Sequence, residues 1–241
     1  MHSSSLERIY PVDDGSDETI AGSDTVKLHL QRYEFAGLHL LPGKIADAAC
    51  GSGYGSYLLA TKFQNKITGI TAIDHSFDAF SFAKTNYQHS LIEFIKENIY
   101  TFQSTEPFST IISLETIEHL ENPKKFIKHF SAQLKKGGRF IVSAPVVPTM
   151  DANPYHLHDF TVKSFKKLFI NSGYTELHSM LQVQHYNPFK LRSKKEKRSA
   201  EIRKNLISYY LKYPIKFLLR LKSIFIDGFS VKYLVVVFEK K

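Results

Sequence analysis

Apolar residues in this chain gather in short runs, separated by segments with the three-to-four-residue rhythm of helices. Ile45 to Ala49, Ile67 to Ile73, Ile92 to Ile95, Thr110 to Leu114 and Arg139 to Ala144 read as strands, and their small or branched residues suit a sheet buried on both faces. Helices are expected between them over Tyr54 to Phe63, Ser76 to Tyr87 and Asn122-Pro123 to Leu134, with Lys135-Lys136-Gly137-Gly138 as a glycine stop. Another starts at Thr161 and runs to Ser172 before Gly173. Strand and helix alternating at about 25-residue spacing predicts a parallel sheet with right-handed crossovers. A strand over Thr175 to Gln184 and a buried run within Lys232 to Glu239 predict a closing antiparallel hairpin, and a helix over Ser23 to Leu40 predicts a cover. The expected fold class is therefore α/β: seven strands, mostly parallel with the last antiparallel, and helices on both faces.

The first strand runs through Asp47 into Ala49-Cys50-Gly51-Ser52-Gly53-Tyr54-Gly55. Glycines here let the backbone turn tightly and approach a ligand with no Cβ in the way. Dinucleotide sites use a related Gly-x-Gly-x-x-Gly, but Ser56 stands at its third position, and an acid inside the strand is not needed there. Asp74, ending the second strand, is placed to accept hydrogen bonds from ribose hydroxyls; its other reading is a helix cap. After the third strand, the amide of Asn98 and the backbone N–H of Ile99 can read an adenine edge. After the fourth come Glu115, Glu118 and His119, which on a helical turn would share one face.

In this order the segments resemble the class I S-adenosylmethionine-dependent methyltransferases, over roughly Lys44 to Tyr174. The resemblance matches Asp47, Ala49, Gly51 and Gly53 to the first motif, with Ala49 standing for a glycine. It matches Asp74 to the acid after strand two, Glu97-Asn98-Ile99 to the adenine segment, and Glu118-His119-Leu120 and Leu134 to Gly138 to the later motifs. It implies a Rossmann-like methyltransferase sheet, S-adenosylmethionine as cofactor, and a cofactor site that also takes in His75 and Leu114. Asp47 is then expected to offset positive charge near the methionine amino group. Arg32 or Tyr33 on the covering helix is a candidate to touch the cofactor carboxylate or close the site. More narrowly, Glu7-Arg8, His29 to Ala36, the Gly51 turn and Asn153-Pro154-Tyr155-His156 resemble bacterial methyltransferases of surface-polysaccharide and lipopolysaccharide clusters.

Glu115-x-x-Glu118-His119 with a distant histidine also resembles ubiquinone-pathway O-methyltransferases and small-RNA 2′-O-methyltransferases. Two roles stay open. Glu115, Glu118 and His119, joined by His156 or His158, can form a magnesium or manganese site that lowers the pKa of an acceptor hydroxyl. Alternatively His119, with Glu118 and His156 beside it, acts directly as base without metal. The acceptor expected is a small molecule or glycan, most simply a sugar hydroxyl. RNA ribose, or a small lipid or quinone, is the alternative, and an NAD-dependent oxidoreductase and a non-catalytic nucleotide-binding protein are the rivals from other classes.

Composition changes this picture in two places. The single cysteine, Cys50, excludes an internal disulfide, and residues 1–22 are polar with no apolar leader, so a cytoplasmic chain is expected. No window is apolar enough to span a bilayer. The net charge of +9 is confined to the end of the chain. From Asn187 to Lys241, fifteen Lys and Arg face four acids. Residues 187–231 thus read as a basic helical insertion between the last two strands of a methyltransferase domain spanning 23–186 and 232–241. Lys212, Lys216 and Arg220 form a stripe at i, i+4, i+8 beside Ile215, Leu218, Leu219 and Phe225, and Pro214 should start or kink the helix. Three readings stay open for it: a helical pair on the sheet, contact with an anionic membrane at its inner face, or a groove for phosphate or RNA.

Overall fold

The structure, a computed structural model, describes residues 23–185 and 205–241. The polar segment 1–22 and the basic run within 186–204 lie outside the described residues. Seven strands, β1 (Gly43–Ala48), β2 (Ile67–Asp74), β3 (Ile92–Lys96), β4 (Phe108–Leu114), β5 (Leu134–Pro145), β6 (Tyr174–His185) and β7 (Ser230–Lys240), make one sheet in the order β3-β2-β1-β4-β5-β7-β6. Strands β1 to β5 are parallel, and β7 inserts antiparallel between β5 and β6. The chain reverses its strand order at β1, so the C-terminal ends of β1 and β4 open a crevice beside the glycine turn, where such sheets place ligands.

Side-chain alternation divides the core in two. Ala46, Ala48, Ile111, Phe140, Val142, Val236 and Phe238 point to one face. There they meet α4 (Pro123–Ala132) through Phe126, Ile127 and Phe130, and α5 (Val162–Ile170) through Phe165 and Phe169. Ile45, Ile70, Ala72, Ile112, Ile141, Val235 and Val237 point to the other, against Tyr33 and Ala36 of α1 (Ser23–Leu38) and Leu59 and Ala60 of α2 (Tyr54–Lys62). Each such aliphatic or aromatic side chain contributes about 1.5–3 kcal/mol on full burial. The fold therefore rests on residues that never face the ligand. Helix α3 (Phe77–Asn86) starts on a Ser76 cap, whose hydroxyl accepts the N–H of Ala79.

Two local expectations are corrected. Helix α4 stops at Ala132, not Leu134, because buried Leu134 already pairs with Phe108 as the first residue of β5. Lys135 to Gly138 then loop out of the ladder, which resumes at Thr110 and Arg139, with Gly137 at φ +69. Those glycines make a bulge, not a helix cap. The turn after β4 is a short 3₁₀ segment, Ile117–His119, and Glu115 before it is left-handed at φ +52. At three residues per turn, reached through such a kink, the shared face expected for Glu115, Glu118 and His119 does not form.

The insertion contains α6 (Leu206–Lys212) and α7 (Pro214–Asp227), and Pro214 starts α7 instead of kinking it. Among the described residues no helix is long and apolar enough to cross a membrane.

Candidate active site

After Ala48 the chain passes through three left-handed residues, Ala49 at φ +65, Gly51 at +58 and Gly53 at +88. A Cβ on Gly51 would meet nothing within 4 Å, so the turn is open on that side. On Gly53 it would lie 2.7 Å from the Ala83 Cβ and 2.8 Å from the Phe94 ring, and this residue caps α2. Conformation asks for glycine at Gly51, and packing also demands it at Gly53. The departure at Ala49 is a backbone one: a Cβ in the left-handed region costs about 1–2 kcal/mol, whatever room the methyl has.

Asp47 is fully buried beneath this turn. Its Oδ2 accepts the Ser56 hydroxyl at 2.6 Å, and both its oxygens lie 3.3 to 3.4 Å from the Tyr33 hydroxyl. Burial raises its pKa to about 7 against the opposing hydrogen bonds from Ser56 and Tyr33, with the nearby charge of Asp74 adding to the rise. Its hydrogen bonds thus tie β1 to α1 and α2. Ser56, which breaks the dinucleotide fingerprint, holds that carboxylate. Nothing in the spacing marked Ser56 for this task.

Asp74 sits at the crevice with its Oδ2 accepting the N–H of Gly51 at 3.0 Å and its Oδ1 that of Ser76 at 2.8 Å. It is not the helix cap, since Ser76 is. The same carboxylate shapes the turn by holding the Gly51 and Ser76 N–H groups. His75 beside it is largely exposed. Asn98 turns its Oδ1 back to the N–H of Tyr100 at 2.9 Å, while Ile99 is buried and can form an apolar wall. Leu114 ends β4 and is also buried, in the core cluster on the other face of the sheet from Ile99.

On the acceptor side, one member of the expected set moves away. Glu115 accepts the Ser143 hydroxyl at 2.6 Å and pairs with Arg32 Nη1 at 2.9 Å. Arg32 is fully buried under the Tyr233 ring, 4.4 Å from its centroid, and among the described residues its Nη2 has no hydrogen-bond partner. Glu118, His119 and His156 do converge, each offering one ligand atom within 4.8 Å of the others. The rings of His119 and His156 stand edge to face, 4.7 Å apart. The Tyr155 carbonyl lies 3.2 Å from His119 Nδ1, which makes Nδ1 the donor and leaves the lone pair on Nε2. His156 Nδ1 is 2.8 Å from the Thr149 hydroxyl. Burial, with the neighbouring His119, drives the pKa of His156 down to about 3 against the pull of Asp159, so it stays neutral. His158, the alternative partner, turns instead to the Leu120 carbonyl at 2.8 Å.

The loop that carries His156 is itself held from outside. Asp159 accepts the N–H groups of Thr149 and Met150 and pairs with Lys216 of α7 at 2.6 Å. Asp151 takes Arg220 in a two-pronged pair, with the Tyr210 hydroxyl on the same carboxylate. Burial pushes Asp151 up, but the guanidinium and the hydroxyl outweigh it and hold the carboxyl below its ordinary value. Lys216 and Arg220, expected to face outward, therefore clamp the acceptor loop. The pairing of Asp151 and Asp159 was not legible in the sequence, because nothing local connects them to cations 69 and 57 positions later.

The fold and crevice together define a class I S-adenosylmethionine-dependent methyltransferase. A methyltransferase-domain family matches residues 43–198, and the chain belongs to it. It is 31% identical over 134 residues to the mitochondrial ubiquinone biosynthesis O-methyltransferase of Dictyostelium discoideum, covering 50% of this chain and 41% of that protein. It is 29% identical over 187 residues to phosphoethanolamine N-methyltransferase 1 of Zea mays, covering 71% and 34%. The chain thus spans less than half the length of these curated relatives. Among solved structures, N-methyltransferase NodS from Bradyrhizobium japonicum, in complex with S-adenosylhomocysteine, superposes with a TM-score of 0.57 at 14% identity, covering 98% of this chain and 97% of that one.

Proposed function

We propose that this chain transfers the methyl of S-adenosylmethionine to an oxygen, and that the acceptor is a sugar hydroxyl of a cell-surface glycan or its precursor. The observation that carries oxygen transfer is the Glu118, His119 and His156 cluster beyond the end of β4, the strand that pairs with β1. Oxygen acceptors need help losing a proton. Sugar is preferred on the Asn153-Pro154-Tyr155-His156 loop and its resemblance to polysaccharide-cluster enzymes.

The bound cofactor supplies a methyl already activated by its sulfonium. The protein's share is to hold donor and acceptor in line and to take the hydroxyl proton. Asp74 holds the ribose, and Ile99 flanks the adenine. The Nη2 of Arg32 meets the cofactor carboxylate, which would give that buried group the partner it lacks among the described residues. His119 receives the acceptor proton on Nε2 while the Tyr155 carbonyl holds Nδ1–H. Glu118, 3.9 Å from Nε2, stabilises the imidazolium so formed.

The same three residues fit a divalent ion, and this is the second reading. The Tyr155 carbonyl and the Thr149 hydroxyl orient the two rings as partners beyond a metal's ligands usually do. With Glu115 withdrawn, the set is two imidazoles and one carboxylate, which favours manganese over magnesium. There Glu118, His119 and His156 would hold the ion, which would lower the pKa of the acceptor hydroxyl.

The test is S-adenosylhomocysteine release from S-adenosylmethionine with nucleotide sugars and lipid-linked glycans, catechols, short RNAs, and simple amines such as phosphoethanolamine. Turnover on a sugar hydroxyl is expected, and turnover on amines alone sinks oxygen transfer. Full activity in excess chelator removes the metal; activity restored by Mn²⁺ better than by Mg²⁺ supports it.

A further inference from the structure

Helix α7 is docked with its polar side inward. Lys216, Arg220, Ser223 and Asp227 follow one another at three- and four-residue steps, and this row faces the protein. Lys216 reaches Asp159, Arg220 reaches Asp151, Ser223 is buried and Asp227 pairs with Lys232. The opposite row faces out. Ile215 is 71% exposed, Leu218 63%, Phe225 87% and Ile226 68%, with Lys222 among them. Helix α6 repeats the arrangement: Tyr210 turns its hydroxyl in to Asp151, while Ile207 and Leu211, one turn apart, are 79% and 80% exposed. A surface helix normally does the reverse. A contiguous apolar face rimmed by charge on an ordinary monomer marks a contact surface.

We propose that the outer face of α6 and α7 docks on an anionic phospholipid bilayer. The apolar side chains would enter the acyl boundary while Lys212 and Lys222 reach the headgroups. Charge selects this occupant. The chain between Asn187 and Lys204, which joins α6 at its start, carries eight Lys and Arg against two acids, and the described part of the insertion adds Lys212 and Lys222 outside the internal ion pairs. Each cation held near an anionic leaflet adds about 1 kcal/mol. A second copy of this chain docked on the same face would bring Lys212 and Lys222 against their own copies, which opposes a symmetric contact. The bilayer also accounts for the two inward ion pairs. By fastening α7 to the loop over 149–159, they set the His156 side of the crevice beside the lipid surface, where a membrane-held acceptor would arrive.

The full chain is tested by co-sedimentation with vesicles of phosphatidylcholine alone and of phosphatidylcholine with phosphatidylglycerol. Sedimentation with the anionic vesicles only, largely released by salt, is expected. The triple variant Leu218→Ser, Phe225→Ser, Ile226→Ser should bind the anionic vesicles about ten-fold more weakly or worse, with its melting temperature and S-adenosylhomocysteine affinity unchanged. Lys222→Glu should weaken binding several-fold. Because these side chains are exposed, loss of vesicle binding in a variant that still melts and binds ligand normally cannot be laid to misfolding. The proposal is overturned if wild type binds both vesicle types equally, or if the triple variant binds as wild type does. A dimer that the triple variant splits, or retention on RNA, without vesicle binding by wild type, overturns it equally. Failure here leaves the methyl-transfer assignment standing, since that is read from turnover without vesicles.

Discussion

At the cofactor end, the buried Asp47 carboxylate, Ser56 and Tyr33 lock β1 to α1 and α2, and the open Gly51 backbone faces the crevice. At the acceptor end, His119 and His156 are only partly buried, on a turn and a loop whose position is set by Lys216 and Arg220 from a distant insertion. The first region is made of strand ends and backbone drawn chiefly from the stretch between Tyr33 and Asp74, so it tolerates little change. The second is assembled from three separate segments around the sheet's C-terminal edge. Its chemistry can be retuned by altering the loop or the insertion without touching the cofactor turn.

The sharpest way to break the comparison is to remove one group from the acceptor end. His119→Ala should lower methyl transfer by about 100- to 10,000-fold, the usual span for a lost proton acceptor, while S-adenosylhomocysteine affinity by calorimetry stays within a factor of three or so. If both fall together, the two ends are one structural unit and the comparison fails.

The buried titrating groups offer a second test, because they respond to pH in opposite senses. Asp47 is raised from 3.8 to about 7, so its burial stabilises the fold most below pH 4, and that contribution disappears as pH climbs to 7. His156 is lowered from 6.5 to about 3, so its contribution is present above pH 6.5 and disappears as pH falls towards 3. In denaturant titrations, the stability of wild type relative to Asp47→Asn should fall between pH 4 and 7, by at most about 1.4 kcal/mol per unit, and be level outside that window. Relative to His156→Gln it should rise from pH 3 to 6.5. Parallel curves for either pair would show that the group in question is not sealed as described.

Asp74→Ala should weaken S-adenosylhomocysteine binding by about 10- to 100-fold, since hydrogen bonds to a charged group are worth roughly 1.5–3 kcal/mol. The Gly51 N–H that the carboxylate also holds would be released, so Asp74→Asn should recover part of the loss. No recovery would mean that the charge matters and the turn geometry does not.

The difference between the two ends also explains what could be read from the sequence. The strands and the glycine turn are written in contiguous residues, and β1, β2, β4 and β7 lie within two or three positions of their apolar runs. Asp74, Gly51 and Gly53 were legible because strand ends in such sheets point at ligands wherever they occur. Glu115 was misplaced because helical spacing was assumed across a residue that turns left-handed, and no residue type announces that. Lys135 to Gly138 were misread because a glycine pair serves a helix stop and a strand bulge equally, and buried Leu134 decides between them. The clamp from Arg220 to Asp151 spans 69 positions, and the periodic stripe that revealed the cations could not say which way the helix would be turned.

The smallest effect concerns Ala49, where the family motif has glycine and the backbone sits at φ +65. Replacing it with glycine removes the left-handed penalty of about 1–2 kcal/mol but adds freedom to the unfolded chain, worth roughly 0.4–1 kcal/mol in the opposite direction. The balance for Ala49→Gly is a gain of about 1 kcal/mol or less, read as a small rise in the denaturant midpoint with an unchanged slope. The two regions predict different companions to that gain. If the cofactor turn is already held in its binding shape by Asp74 and Asp47, relaxing Ala49 leaves S-adenosylhomocysteine affinity unchanged. A several-fold loss of affinity would instead mean that the alanine stiffens the turn for its ligand, and that the rigid end owes part of its rigidity to a residue that pays for it in backbone strain.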